Sequence, residues 1–321
     1  MDSSLPLALK MEIAAVEKVI TFAKLPTTTV TTVEVESPDQ ELYLLNRRDE
    51  EERDRLDRQS SAIRVARDGH VLDPRIPKQN LSRVADIATG TGIWLRELAE
   101  EFANGGYNLQ ETIGFDISPD QFPNNPAPEN KFVLWDMTKS FPKEYHGTFD
   151  VVHIRLVVLA LKVEQIKGVV ENLVELLKPG GYLQWTDMSY RNGLKITHSA
   201  DESEPLWKAG VDKMFKYWGD QGFSYDPPDD VEKILQTLPV EDVHVTDHTF
   251  APYQKPEIND LVIEWQSRAK ALIIELLSSR NGLSDEEAKM AAYLYRKKAV
   301  EMGKRGVIWR SPVATLVARK K

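Results

Sequence analysis

Apolar and polar residues follow two rhythms along this chain, and the switches between them predict its elements. Val84, Ala85, Ile87 and Ala88 make a short apolar run broken by Asp86, as a buried strand would. Gly90 and Gly92 follow at once. Ile93, Trp94, Leu95, Leu98, Ala99 and Phe102 then repeat at helical spacing until Gly105 and Gly106. Further strands are expected over 111–117, 131–135 and 149–154. Between the first two of these, the prolines of 118–130 exclude a long helix. Residues 163–178 read as an amphipathic helix, which Pro179-Gly180-Gly181 ends and turns into a fifth strand at 182–188. Strands alternating with helices predict a doubly wound α/β fold, a parallel sheet with helices on both faces.

The flanks are less regular. Residues 1–24 read as a helix ended by Pro26, and 27–36 as a linker or edge strand. A second helix is expected over 39–67. Its charge run from Arg47 to Arg58 predicts a solvated face with pairs such as Glu51 with Arg55 and Asp54 with Arg58. Beyond 188, helices are expected over 204–219, 257–280 and 284–304, with strands over 243–251 and 314–318. The organisation this suggests is an N-terminal helical extension or lid, 1–80. A sheet domain, 81–321, follows it, with helical insertions at about 190–235 and 257–305.

Composition narrows the function. The chain has 321 residues, 41% of them hydrophobic and 28% charged, which is soluble and globular in character. Its net charge of −9 argues against nucleic acid as a partner. With no cysteine there is no disulfide, thiolate metal site or cysteine nucleophile, and no metal is expected. No convincing signal peptide or membrane-length apolar window is present, so a cytoplasmic protein without membrane contacts is expected.

The candidate chemistry gathers at strand ends. A strand, a glycine turn and a helix form the first βα unit of a nucleotide-binding sheet, because glycine lets backbone approach a ligand closely. Asp116 ends the second strand, where a carboxylate can accept both hydroxyl hydrogens of a ribose; the alternative is a loop aspartate in an Asx turn. Asp136 follows the third strand and can accept from an adenine amino group, or serve as a turn residue before Thr138. A dinucleotide fingerprint wants glycine or alanine where this chain has Leu95. That weakens NAD or FAD and leaves room for a ligand without phosphates.

These residues resemble the ordered motifs of class I S-adenosylmethionine-dependent methyltransferases. The stretches are Asp86-Ile-Ala-Thr-Gly-Thr-Gly92, Gly114-Phe-Asp-Ile-Ser118, Asp136, Phe149 to Arg155 and Leu177-Lys-Pro-Gly-Gly-Tyr-Leu183. The resemblance is closest to fungal secondary-metabolite methyltransferases, the group of gliotoxin N-methyltransferase-like enzymes and LaeA-like regulators. It extends upstream to Tyr43 to Asn46 and the helix after it. It implies a Rossmann-like seven-stranded sheet and S-adenosylmethionine as cofactor. Asp86, Ala88, Thr89, Gly90, Thr91 and Gly92 would wrap its methionine part. Asp116 would hold the ribose, Ile117 would pack on the adenine, and Asp136 with Met137 would meet the adenine edge. His153 to Arg155 would lie beneath the methionine end, and Tyr43 would close over the cofactor. Two departures stand out: Ala88 where relatives often have glycine, and Gln59-Ser60 where they often have Gln-His.

Methyl transfer needs an aligned acceptor, excluded water and sometimes a base. His153, on the fourth strand, is the candidate base, against the alternative of a hydrogen-bonded core histidine. Arg155 is a candidate for holding a carboxylate, and Asp187 and His198 are further catalytic candidates. Aromatic residues after the fifth strand suggest a lid over an apolar acceptor, with Trp185, Tyr190, His198 and Trp218 as substrate contacts. For Trp207, Phe215 and Trp218 helical spacing favours helix core instead. The expected activity is methyl transfer to a hydroxyl or amine of a small-molecule acceptor, with dimerisation left open. Fold does not fix function, so a LaeA-like regulator and a non-methylating cyclase or isomerase are the alternatives.

Overall fold

The computed structural model describes residues 50–189, 195–197, 215, 218–248, 259–280, 282–305, 308–310 and 313–321. The helix expected over 1–24, the segment 27–36 and most of the helix expected over 204–219 lie outside them. The described residues fall into two compact units. One holds 50–189, 195, 221–248, 310 and 313–321; the other holds 196–197, 215, 218–220, 259–280, 282–305 and 308–309. Helix α1, Glu50–Ala66, lies in the first of these units.

In the first unit the chain then runs through β1 (Arg83–Ile87), α2 (Ile93–Gly105), β2 (Glu111–Asp116), β3 (Asn130–Leu134) and β4 (Phe149–Arg155). It continues through α3 (Val163–Leu176), β5 (Leu177–Met188), α4 (Pro227–Leu235) and β6 (Val240–His248), and closes with β7 (Val313–Lys320). The seven strands lie in the order β3-β2-β1-β4-β5-β7-β6. β1 to β5 pair in parallel, as expected. β7 enters antiparallel between β5 and β6, so the sheet is mixed. Its composition suits that position: Val313, Ala314, Thr315, Leu316, Val317 and Ala318 are all buried, as an inner strand requires, whereas edge strand β6 keeps exposed positions.

Period-two alternation divides the core between the two faces of the sheet. Ala85, Ile87, Val152, Ile154, Leu183 and Trp185 pack with Ile166, Val169, Val170 and Leu173 of α3 and with Val231 and Leu235 of α4. Val84, Val151 and Val317 face the other way, against Trp94, Leu95, Leu98 and Phe102 of α2. The proline-containing loop after α1 contributes Val71, Leu72 and Ile76 to that second layer.

Two elements differ from the sequence-based expectation. β5 begins at Leu177, before the glycines, because Leu177 already pairs with Phe149; Tyr182 next pairs with Val151, and Pro179-Gly180-Gly181 bulges between them. α4 is an additional helix, started by Asp226, which accepts a hydrogen bond from the Asp229 N–H, with two prolines occupying the first turn. The second unit contains α5 (Asn259–Arg280) and α6 (Asp285–Lys304), the latter started by a Ser284–Glu287 capping box. Among the described residues no helix is long and apolar enough to cross a membrane.

Gly181 is required by the bulge: a Cβ there would sit 2.9 Å from the Phe149 carbonyl oxygen and 3.0 Å from that of Lys178. Backbone oxygens in a sheet cannot retreat. Gly181→Ala is expected to destabilise the fold by about 1–3 kcal/mol, read as a lower urea midpoint with an unchanged m-value.

Candidate functional site

The glycine turn leaves β1 through backbone of unusual hand. Ala88 has φ 54°, Gly90 φ 54° and Gly92 φ 68°. At Gly92 a side chain is excluded twice, by that φ and by Phe132, whose ring carbons would lie 2.8 Å from a Cβ. Hydrogen bonds fix the turn at both ends. The Thr89 N–H donates to the Phe115 carbonyl at 3.0 Å, tying the turn to β2. The Gly90 N–H donates to Asp116 Oδ2 at 2.8 Å. The other Asp116 oxygen accepts the Ser118 N–H at 3.1 Å, which is the Asx turn of the alternative reading. The Trp135 N–H reaches the Asp116 carbonyl at 2.7 Å, which laces the ends of β2 and β3 together. Asp136 stands just beyond, its Oδ1 accepting the N–H and hydroxyl of Thr138 at 2.9 and 2.7 Å. Ile117 and Met137 are half-buried beside the two aspartates.

Asp86 holds this turn from below. It is buried, and its two oxygens accept the Thr89 hydroxyl at 2.6 Å and His153 Nδ1 at 2.7 Å. The His153 ring lies flat on Trp94, 3.7 Å between centroids and 4° from parallel. Burial lowers the His153 pKa to about 4, against the opposing pull of Asp86, so the imidazole is neutral. Donating from Nδ1, it leaves Nε2 unprotonated, and that atom is buried without a hydrogen-bond partner.

Helix α1 roofs the turn. Asp57 accepts the Thr91 hydroxyl at 2.7 Å and Arg96 at 2.8 Å. Ser60 donates to Glu97 at 2.6 Å and accepts from Arg155 at 2.9 Å. The charge run is therefore not simply solvated: Glu52 and Arg55 are buried and paired at 2.6 Å. Sequence reasoning meets Ser60 only as a departure from relatives and misses Glu97 and Asp57 as part of the site. The one signal for them is Glu97, a carboxylate on the same helical face as Trp94 and Leu98.

A methyltransferase domain family matches residues 85–183, the span from β1 into β5 that contains this turn and both carboxylates. That span is a methyltransferase domain. Methyltransferase grgD of a Penicillium species is 26% identical over 298 residues, covering 89% of this chain and 99% of grgD. N-methyltransferase gliN of Aspergillus fumigatus is 31% identical over 46% of this chain and 50% of its own length. The secondary metabolism regulator laeA of Coprinopsis cinerea is 29% identical over 39% of this chain and 30% of its own.

Within the methyltransferase the remaining candidates separate by burial. His153 has no exposed surface, so its geometry is that of the hydrogen-bonded core histidine and replaces its role as a base. Asp187 is fully buried too. Its oxygens accept the Val157 and Met188 N–H groups at 2.9 and 2.8 Å, pinning the turn after β4 where Leu156 has φ 54°. Burial pushes the Asp187 pKa up to about 7 against those hydrogen bonds, and in this structure it braces a turn. Trp185 is core between the sheet and α3, which removes it as a substrate contact. Trp218 is 4% exposed and meets Phe215 edge to face at 5.2 Å, the helix-core arrangement. Tyr43, Tyr190 and His198 lie outside the described residues.

The depressed His153 pKa has a sign that can be checked. Its unfolded value near 6.5 lies above its folded value of about 4. The stability it contributes is therefore present above pH ~6.5 and is lost as pH falls toward 4, by up to ~3 kcal/mol. His153→Asn keeps a donor for Asp86 but cannot titrate. The stability difference between wild type and this variant, from urea titrations at pH 7 and pH 4.5, is expected to shrink or reverse on the acid side. Taking the difference cancels the opposite trend expected from Asp187.

Proposed function

We propose that this methyltransferase binds S-adenosylmethionine at the β1 turn. From there it methylates a hydroxyl or amine of a small secondary-metabolite-like acceptor. The observation that supports it most is the meeting of Gly90 with Asp116: the turn and the carboxylate that would hold the two ends of an adenosyl amino acid are in contact. The residues fit that ligand better than a dinucleotide. Leu95 fills the helix–strand contact with no surface exposed, so there is no third small residue beneath a pyrophosphate. Asp116 and Asp136 are both half-exposed at adjacent strand ends, and Asp136 Oδ2 makes no hydrogen bond among the described residues.

The cofactor, when bound, supplies a methyl group on a positively charged sulfur. The chain's own task is to orient and enclose. Asp116 accepts the ribose hydroxyls, exchanging its contact with the Ser118 N–H for them. Ile117 and Met137 flank the adenine, with Asp136 accepting from its amino group. The backbone of Ala88 to Gly92 lines the amino-acid end, and α1 excludes water above it. With His153 neutral and buried, an amine that arrives uncharged suits the site, because it can be methylated before losing a proton. The names of gliN and of two further relatives, sirN and verN, also specify N-methyltransferases. The relatives named as regulators favour a second reading, in which the same fold acts in regulating secondary metabolism.

Calorimetry with S-adenosylmethionine and S-adenosylhomocysteine tests the proposal directly, and absence of binding would sink it. Asp116→Ala is expected to weaken both ligands roughly 100-fold with little change in melting temperature. An unchanged affinity would remove Asp116 from the ribose. Binding without methyl transfer to any small amine or phenol in an extract of the native host would favour the regulator.

A further inference from the structure

Arg155 ends β4 beside the glycine turn, and its surroundings are unusual for a half-buried cation. Its one hydrogen bond among the described residues is from Nη1 to the Ser60 hydroxyl at 2.9 Å. The carboxylates whose charge it feels are Asp86, Glu97 and Asp57. Each is engaged elsewhere: Asp86 by Thr89 and His153, Glu97 by Ser60, Asp57 by Thr91 and Arg96. Among the described residues none forms an ion pair with Arg155. A second guanidinium, Arg67, is near enough to oppose its charge and is itself buried, with Nε unpartnered. The remaining nitrogens of Arg155 are not among the buried unpartnered atoms, so they reach solvent.

A half-buried guanidinium with no carboxylate bonded to it is costly, and one oriented by a rigid neighbour is costlier still to leave unmatched. Here the orientation is fixed twice over, since Ser60 is held in turn by Glu97. Planar N–H donors in this state match a carboxylate in both charge and geometry. We propose that Arg155 is a carboxylate-binding subsite at the mouth of the site, with Ser60 and Glu97 positioning its guanidinium. The inference rests on the cofactor reading above, because the carboxylate comes either from the amino-acid end of the cofactor or from the acceptor. Ser60 would then set selectivity: it orients the cation without neutralising it, which a carboxylate at that position would do.

The test compares wild type with Arg155→Gln, Arg155→Lys and Ser60→Ala, each checked for folding by circular dichroism and melting temperature. In the first arm, calorimetry measures S-adenosylhomocysteine against its decarboxylated counterpart. If the cofactor supplies the carboxylate, wild type prefers the intact ligand by about 10- to 100-fold. Arg155→Gln abolishes that preference by weakening the intact ligand alone, while Arg155→Lys and Ser60→Ala retain part of it. In the second arm, the protein saturated with S-adenosylhomocysteine is titrated with indole-3-acetate and with indole-3-acetamide. If the acceptor supplies the carboxylate, only the acid binds, and Arg155→Gln loses it while cofactor affinity is unchanged. Variants that fold and are indifferent in both arms overturn the proposal. Failure of wild type to bind S-adenosylhomocysteine at all overturns the cofactor reading instead. Should Arg155→Gln not fold, the Arg155→Lys and Ser60→Ala proteins decide between the same outcomes, through a partial rather than a complete loss.

Discussion

The buried Asp86 carboxylate is the constraint on which the rest of this structure depends. It is a charge in a place without water, and a cost of several kcal/mol is expected for it unless its lone pairs are filled. Thr89 and His153 fill them, at 2.6 and 2.7 Å, and in doing so they join β1, the glycine turn and β4. The partner from β4 has to be neutral, or two buried charges would need solvation. Burial lowers the His153 pKa far enough to secure this. The ring is then free to stack on Trp94, which brings α2 against the same point. Three elements are thus set by one carboxylate, and the turn has its shape before any ligand arrives. A preformed turn reduces the ordering cost that a cofactor would otherwise meet.

Above that point the polar residues form a second layer between α1 and the sheet. Asp57 spans to Thr91 and Arg96, and Ser60 spans to Glu97 and Arg155. These links are short and charge-assisted, so the helix is located by chemistry rather than by apolar packing. Helix α1 is rich in charge, and its buried residues include Glu52, Arg55 and Ser60 beside Ala62 and Ile63. Such an interface is stable only when its polar groups are satisfied, which gives a helix that holds firmly in one position.

Much of this is legible in the sequence, and the failures have physical causes. The β1 strand, the turn and α2 follow from apolar period and glycine placement, and they appear where expected. The spacing of Asp116 and Asp136 puts both at strand ends, because five parallel strands fix where every strand stops. The composition of β7 marks it as a strand, but its insertion between β5 and β6 depends on pairing with strands far away in the sequence, which no local pattern encodes. α4 escapes a local reading because two prolines look like a break, when after Asp226 they are a start. The charged face of α1 looks solvated because period shows which residues share a face and not what that face meets.

His153 is a case of another kind, and it shows how a strand end distributes chemistry. On β4, residues 153 and 155 point to the face that meets α1 and α2, while Ile154 points to α3. The same parity puts Trp185 on the α3 side, within the main core. Parity alone makes His153 and Arg155 equivalent candidates; depth separates them. Two residues along a strand are about 6.6 Å, enough to carry one side chain from the floor of a site to its mouth. At the floor, with no water, a titratable group does best as a neutral hydrogen-bond donor to the carboxylate beside it. At the mouth, with solvent within reach, a permanent charge can be held by a hydroxyl and left without its counter-ion. On the reading proposed for Arg155, the residue that would meet incoming charge is the one that ends the strand, and the histidine beneath it keeps the turn in shape.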